Sequence, residues 1–202
     1  MSEYSRGWRE SSQFDVDTFQ AEINAHLNKH EQAFYHGYAG IRAGNFSSYG
    51  ILNTPHALTT TAVGDFGIIT NIVPSVVKLI QLHATLGNYG GIHLFLHTDQ
   101  YLEVANTYYS DDREITPLSQ ILGMPQIDAV HQISTGYGTP GTLASIRMAG
   151  DAFNWIEAMD VEVREWTAPN GMITYFCPVS ICAPMVRTDY HDNHNIVLMT
   201  GA

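Results

Sequence analysis

Charge is scarce in this sequence. Only 14% of its 202 residues are Asp, Glu, Lys or Arg, and nine basic residues stand against twenty acidic ones, a formal net charge of −11. The nine (Arg6, Arg9, Lys29, Arg42, Lys78, Arg113, Arg147, Arg164 and Arg187) are scattered singly. Gripping a nucleic acid takes a clustered basic stripe that neutralises phosphates. No such stripe is visible, and the overall field repels a polyanion. Sequence-specific nucleic-acid binding is therefore not expected; if the protein encloses a nucleic acid, it does so as a container and not as a binder. Cysteine is also scarce. Cys177 and Cys182 fall in a segment with strand character, and their odd separation sends them to opposite faces. The expectation is two buried thiols in a reducing compartment, without a bridge. Long apolar runs are missing as well. Nothing approaches the roughly 20 residues that cross a bilayer, and Met1–Glu10 has no apolar signal core. A soluble chain with no visible export signal and no membrane partner is expected.

What the chain does have is apolar and aromatic mass. Hydrophobic residues make up 45%, with eleven Tyr and eight Phe. That suffices for an ordered core in one large domain or two small lobes, with side chains left over for contact surfaces. Asp15 or Asp17 can cap a helix running to about Tyr35, with Val16, Phe19, Ile23, Leu27 and Phe34 as its apolar stripe. Gly37 and Gly40 end it, and residues 37–61 read as a structured connection. Asp65–Leu86 is again helical in period, and Pro74 should kink it or start a second helix. After the glycine-rich break at 87–91 come a buried strand (Ile92–His97), a helix (Asp99–Tyr109), a short helix (Thr116–Leu122) and strands at Ile127–Ile133 and Thr142–Met148. Met159, Val161 and Val163 alternate with Asp160, Glu162 and Arg164, the pattern of a half-exposed strand. The turn chemistry of Ala168-Pro169-Asn170-Gly171 and the apolar run Met172–Ala183 complete a long β-hairpin.

Chemistry-bearing motifs are thin. Gly136-Tyr137-Gly138-Thr139-Pro140-Gly141 superficially fits a dinucleotide glycine pattern, but that pattern must open a helix, and here Pro140 and a strand follow. Asp189, His191, Asp192 and His194 are the densest ligand set and the weak candidates for a divalent metal. No distant partner cluster completes them, so a polar surface turn is the favoured reading. His26 and His30 share a helix face, yet the spacing to His36 does not continue a zinc-protease motif, and they read as polar neighbours of the core stripe. No nucleophile elbow, phosphate-binding loop or paired-cysteine zinc signature is present. No catalytic residue, no cofactor and no enzymatic activity are expected.

The order of these segments resembles the major capsid protein family of tailed phages, the Hong Kong 97-like fold shared with encapsulin shells. Phe34-Tyr35-His36-Gly37 followed by Tyr49-Gly50-Ile51-Leu52-Asn53 is similar to the family's passage from a spine helix, through a phenylalanine–x–glycine step, into a "glycine–leucine–leucine–asparagine" signature. The Ile92–His97 strand leading into Asp99-Gln100-Tyr101-Leu102 is similar to the axial-domain strand and its tyrosine–leucine helix. Residues 157–187 resemble the long peripheral hairpin, and Asn195-Ile196-Val197 the return to the axial domain. The likeness runs from about Asp15 onward. About fourteen residues precede the helix, fewer than the arm and extended loop that family members carry there.

The resemblance implies an α+β fold with a spine helix, a long hairpin and a mixed helix–sheet lobe. Its expected divisions are 1–60 (leader, spine helix and connection, peripheral), 61–153 (axial), 154–183 (peripheral hairpin) and 184–202 (return to axial). It implies a structural shell subunit of an icosahedral phage head, assembled as pentamers and hexamers, with other capsid proteins as further partners. The location is then the virion capsid, and the host cytoplasm during assembly. An encapsulin-like compartment shell is the alternative, and a metal enzyme using His191 and His194 a distant third. Tyr108, Tyr109, Asp111, Asp112 and Arg113 form an exposed-looking loop rich in interface residue types. With Trp155 and Trp166, which flank the first hairpin strand, they are the candidate subunit contacts.

Overall fold

The computed structural model describes residues 16–38, 42–43, 46–55, 57–109, 115–150, 152–169, 171, 174–187 and 195–202. Helix α1 (Val16–His36) has 21 residues, a rod of about 31 Å. Two-residue strands β1 (Arg42–Ala43) and β2 (Phe46–Ser47) pair antiparallel after it. Then come β3 (Leu58–Thr61), α2 (Ile69–Thr85), β4 (Ile92–His97), α3 (Thr98–Asn106), α4 (Pro117–Leu122), β5 (Ile127–Ile133), β6 (Thr142–Arg147), β7 (Phe153–Thr167), β8 (Thr174–Val186) and β9 (Ile196–Thr200).

Two compact units share these elements. Residues 32–157 and 183–202 form the larger, and residues 1–31 and 158–182 the smaller. The larger is built on a five-stranded sheet in the order β3-β9-β6-β4-β5. β3 and β9 run parallel, as do β4 and β5, while β6 is antiparallel to both β4 and β9. Alternation along the strands sorts side chains to two cores. On one face Ile92, Leu94, Leu96, Leu143, Val197 and Met199 pack with Ile72, Val76 and Leu79 of α2, Val104 of α3 and Ile121 of α4. On the other, Phe95, Ile133, Ala144, Ile146 and Ile196 pack with Tyr35, Ile51 and Phe153.

The helices expected at 65–86 and 116–122 are present, with their details set by local chemistry. α2 runs through Pro74 as one helix. Proline sits in its second turn, and the Ser75 hydroxyl, donating to Asn71 O and accepting from Val63 N–H, ties the chain on both sides of it. α4 begins with a reciprocal capping box between Thr116 and Ser119, with Pro117 at the position that has no helical amide partner. The hairpin strands are longer than the alternating sequence runs. β7 starts at Phe153 because its first residues belong to the core under the sheet.

The smaller unit is a helix laid on a ribbon. Residues 16–31 of α1 join the outer parts of β7 and β8, whose turn closes with Gly171 N–H donating to Ala168 O and Gly171 in the left-handed region. Two expectations are corrected here. Leu27, assigned to the apolar stripe, is 48% exposed, while Ile23, His26 and His30 are half-buried. Cys177 is exposed and Cys182 half-buried beside His30, with no disulfide between them, because α1 covers only one face of the two-stranded ribbon.

Candidate functional site: the helix end and the hairpin

The end of α1 is held from several directions within the larger unit. A helix leaves its last carbonyls without partners, and here a single short segment satisfies them. Gly37 N–H donates to Ala33 O at 2.7 Å with φ of 69°, the left-handed turn-off that ends helices. The chain then returns. Ile51 N–H donates to Phe34 O (3.0 Å) and Leu52 N–H to Tyr35 O (2.9 Å). Asn53 locks the approach from both sides: its Nδ2 donates to His36 O at 2.7 Å, and its Oδ1 accepts from Gly50 N–H at 2.7 Å. Gly50 lies so close to the helix end that a β-carbon there would fall inside the backbone of Tyr35 and His36. The sequence Gly50-Ile51-Leu52-Asn53 is thus a helix-end socket. Glycine gives the close approach, Ile51 is fully buried, and asparagine supplies both a donor and an acceptor.

Aromatic packing fixes the same point to the sheet. Phe34 meets Phe95 (5.5 Å between ring centroids), Phe153 (5.4 Å) and Trp155 (6.4 Å), and Tyr35 stacks on Tyr137 at 5.7 Å. His36 Nε2 donates to Tyr137 O at 2.6 Å. Trp155, partly buried, therefore packs against this core.

In the smaller unit, His26 and His30 both direct Nε2 at the Ser180 hydroxyl of β8, at 2.8 and 2.6 Å. One hydroxyl carries one proton, so at least one imidazole donates to the oxygen. Cys182 Sγ lies 3.6 Å from His30 Nε2. These two histidines, read from sequence as bystanders, join helix to hairpin. The signal was there: 23, 26, 30 and 33–34 trace one helical face, with histidine standing where an apolar residue was looked for.

The remaining candidates are not brought together. Tyr108 is 54% exposed, and the Tyr109 hydroxyl donates to Gln120 Oε1 of α4 at 3.0 Å. Trp166 is 64% exposed, with its ring 5.2 Å from that of Tyr175 on the neighbouring strand. Asp111, Asp112, Arg113, Asp189, His191, Asp192 and His194 lie outside the described residues. Among the described residues no group of three or more His, Cys, Asp or Glu side chains is placed to hold a metal ion, and no helix is long and apolar enough to cross a membrane.

The two tryptophans should separate by stability. Trp155→Ala is expected to cost about 3 kcal/mol in urea unfolding, because it empties a packed aromatic site. Trp166→Ala is expected to cost less than about 1 kcal/mol, because it removes mainly one exposed ring pair. Equal costs would mean that Trp166 is core.

Comparison of the whole chain with solved structures decides the fold. The chain superposes over its full length on the capsid of Myoviridae phage XM1, with a TM-score of 0.71, 15% identity and 70% of that chain covered. The fold is that of a capsid subunit. It also matches the capsid of an empty GTA particle (TM-score 0.57, 17% identity, 95% of this chain and 68% of that one). A virus-like particle from Pyrococcus furiosus matches 74% of this chain (TM-score 0.58, 13% identity), and this chain spans only 58% of that particle's chain. No family model and no curated protein matches the sequence. The capsid fold therefore persists here at identities where individual motifs are barely visible, and the helix-end socket lies within the superposed region.

Proposed function

We propose that this chain is a structural shell subunit, a major capsid protein of the Hong Kong 97-like type that builds an icosahedral phage head. The observation that carries the reading is the full-length superposition on a phage capsid chain at a TM-score of 0.71. In this reading residues 1–60 and 154–183 form the peripheral domain, and residues 61–153 and 184–202 the axial one. Subunits associate as pentamers and hexamers, with other capsid proteins as further partners, in the virion capsid and, during assembly, in the host cytoplasm. Shell closure works by repeated contacts under symmetry. Each contact buries on the order of 800 Å² per partner, and closing the particle satisfies many weak contacts at once. Chemistry is not required of such a subunit, in keeping with the sparse catalytic motifs. Tyr108, Tyr109, residues 111–113 and Trp166 are the proposed contacts. Trp155, partly buried against the core, is a proposed contact through the surface it leaves exposed.

An encapsulin-like compartment shell is the second reading, supported by the Pyrococcus particle at lower coverage. Electron microscopy of the purified chain at high concentration tests the proposal. Uniform closed particles are expected, and co-purifying cargo enzyme would favour the compartment reading. A chain that stays strictly monomeric would remove autonomous assembly.

A further inference from the structure

We propose that His93 and His131 form an acid-opened latch on the sheet of the larger unit, closed while the pair holds no more than one extra proton and opened by a second.

The geometry begins with a bulge. His93 pairs with Ala129, but its neighbour Ile92 pairs with Ile127, so Asp128 is the extra residue on β5. His93 Nδ1 and His131 Nε2 lie 2.9 Å apart, with ring centroids at 5.1 Å and planes within 18°. The centroid separation exceeds the N···N distance by about 2.2 Å, roughly two ring radii, so the nitrogens meet head-on. Head-on lone pairs cannot converge on a third atom, which excludes a metal chelate between them. They can share one proton. In the neutral pair one nitrogen donates and the other accepts. A first extra proton goes to an outward nitrogen and leaves that bond in place. A second puts two N–H donors face to face at hydrogen-bond distance, and the rings must part.

The surroundings favour the closed form. Burial lowers the pKa of His93 against the opposing pull of Asp128, and burial followed by the charge of His93 lowers that of His131. Asp128 comes from β5, and on the other side β6 presents the uncharged Ile146 opposite His93. The titratable groups of the same aromatic cluster are Tyr35 and Tyr137, with His36 bonded to the Tyr137 carbonyl. His97, at the far end of β4, is paired with Asp99 at 3.4 Å. The latch covers something that matters: His131 stacks on Phe95 at 4.8 Å, and Phe95 meets Phe34 of the last helical turn. Opening it bares the edge of the ring stack that seats α1.

Residue-resolved exchange of the histidine C2 proton, followed by mass spectrometry across pH on the intact chain, tests this whether or not the chain is assembled. The pair should load in two steps, the second at least tenfold less favourable than the first (one pH unit). In His131→Gln, which keeps a hydrogen-bonding side chain but cannot charge, His93 should titrate in one step at a higher midpoint than the second step of the native pair. His93→Gln should do the same for His131, so the comparison survives if one variant fails to fold. Independent single-step titration of both histidines, with neither midpoint moved by replacing the partner, would overturn the latch.

Discussion

Gly50→Ala should lower the unfolding free energy by roughly 3 kcal/mol, at the upper end of what overpacking costs. The reason is the identity of the atoms in the way. A β-carbon at Gly50 meets the backbone of Tyr35 and His36, which cannot rotate aside as a side-chain tip can. Relief requires the socket to withdraw from the helix. That breaks the bonds from Ile51 N–H to Phe34 O and from Leu52 N–H to Tyr35 O, and pulls Asn53 off the His36 carbonyl. Freed carbonyls near a buried helix end are costly in their own right. Gly136→Ala is the matched control. No atom lies within 4 Å of a β-carbon there, and its φ is not in the left-handed range. That change is expected to be neutral, or stabilising by a few tenths of a kcal/mol through the unfolded chain. Urea unfolding of both variants against the parent reads the difference directly. Equal effects would mean that the Gly50 approach is not a constraint on the fold.

Gly50 also marks how far the sequence could be read. Local signals carried well: the extent of α1, the strand at Ile127–Ile133 and the turn at 168–171 are written within a few residues of where they act. Pairing over long distances did not carry. β9, a short apolar run near the chain end, lies inside the sheet between β3 and β6, and β3 was read only as part of a connection. Neither placement leaves a local trace, because strand order is set by which faces bury together. The same holds for Ser180, unremarkable in β8 until two imidazoles from α1 meet it. Exposure on the ribbon departs from the sequence expectation for the opposite reason. The apolar content of Met172–Ala183 suggested burial, yet Ile181 and Cys177 are exposed, because they alternate with Ser180 and Cys182, which face α1. Such uncovered apolar surface is what a subunit contact would cover.

Acid should destabilise the larger unit well before its carboxylates are protonated, and His83 should dominate the effect. This residue of α2 is completely buried against the sheet, with Nε2 at 2.9 Å from the Ser145 hydroxyl. The hydroxyl in turn donates to Val197 O at 3.3 Å, so His83 must donate from Nε2, which leaves Nδ1 as the bare nitrogen. Nδ1 is buried without a hydrogen-bond partner. A proton added there would be a buried charge, and burial lowers the pKa from 6.5 to about 4 against the lesser opposing pull of a backbone hydrogen bond at Ser145. Because the folded value lies below the unfolded one, the unfolded chain binds more protons between pH 6.5 and 4, and stability falls as pH falls through that window. The loss approaches about 1.4 kcal/mol per pH unit and totals on the order of 3 kcal/mol by pH 4. His93 and His131, also lowered by burial, add in the same direction. Glu103 opposes them: burial and then Asp65 and Asp99 raise its pKa, which favours the folded state in acid, but solvent access keeps that contribution small. Urea unfolding at intervals from pH 7.5 to 4.5 should show the decline in the parent. His83→Leu should flatten it while sparing the Ser145–Val197 bond. A pH dependence unchanged in His83→Leu would assign the acid sensitivity to other groups.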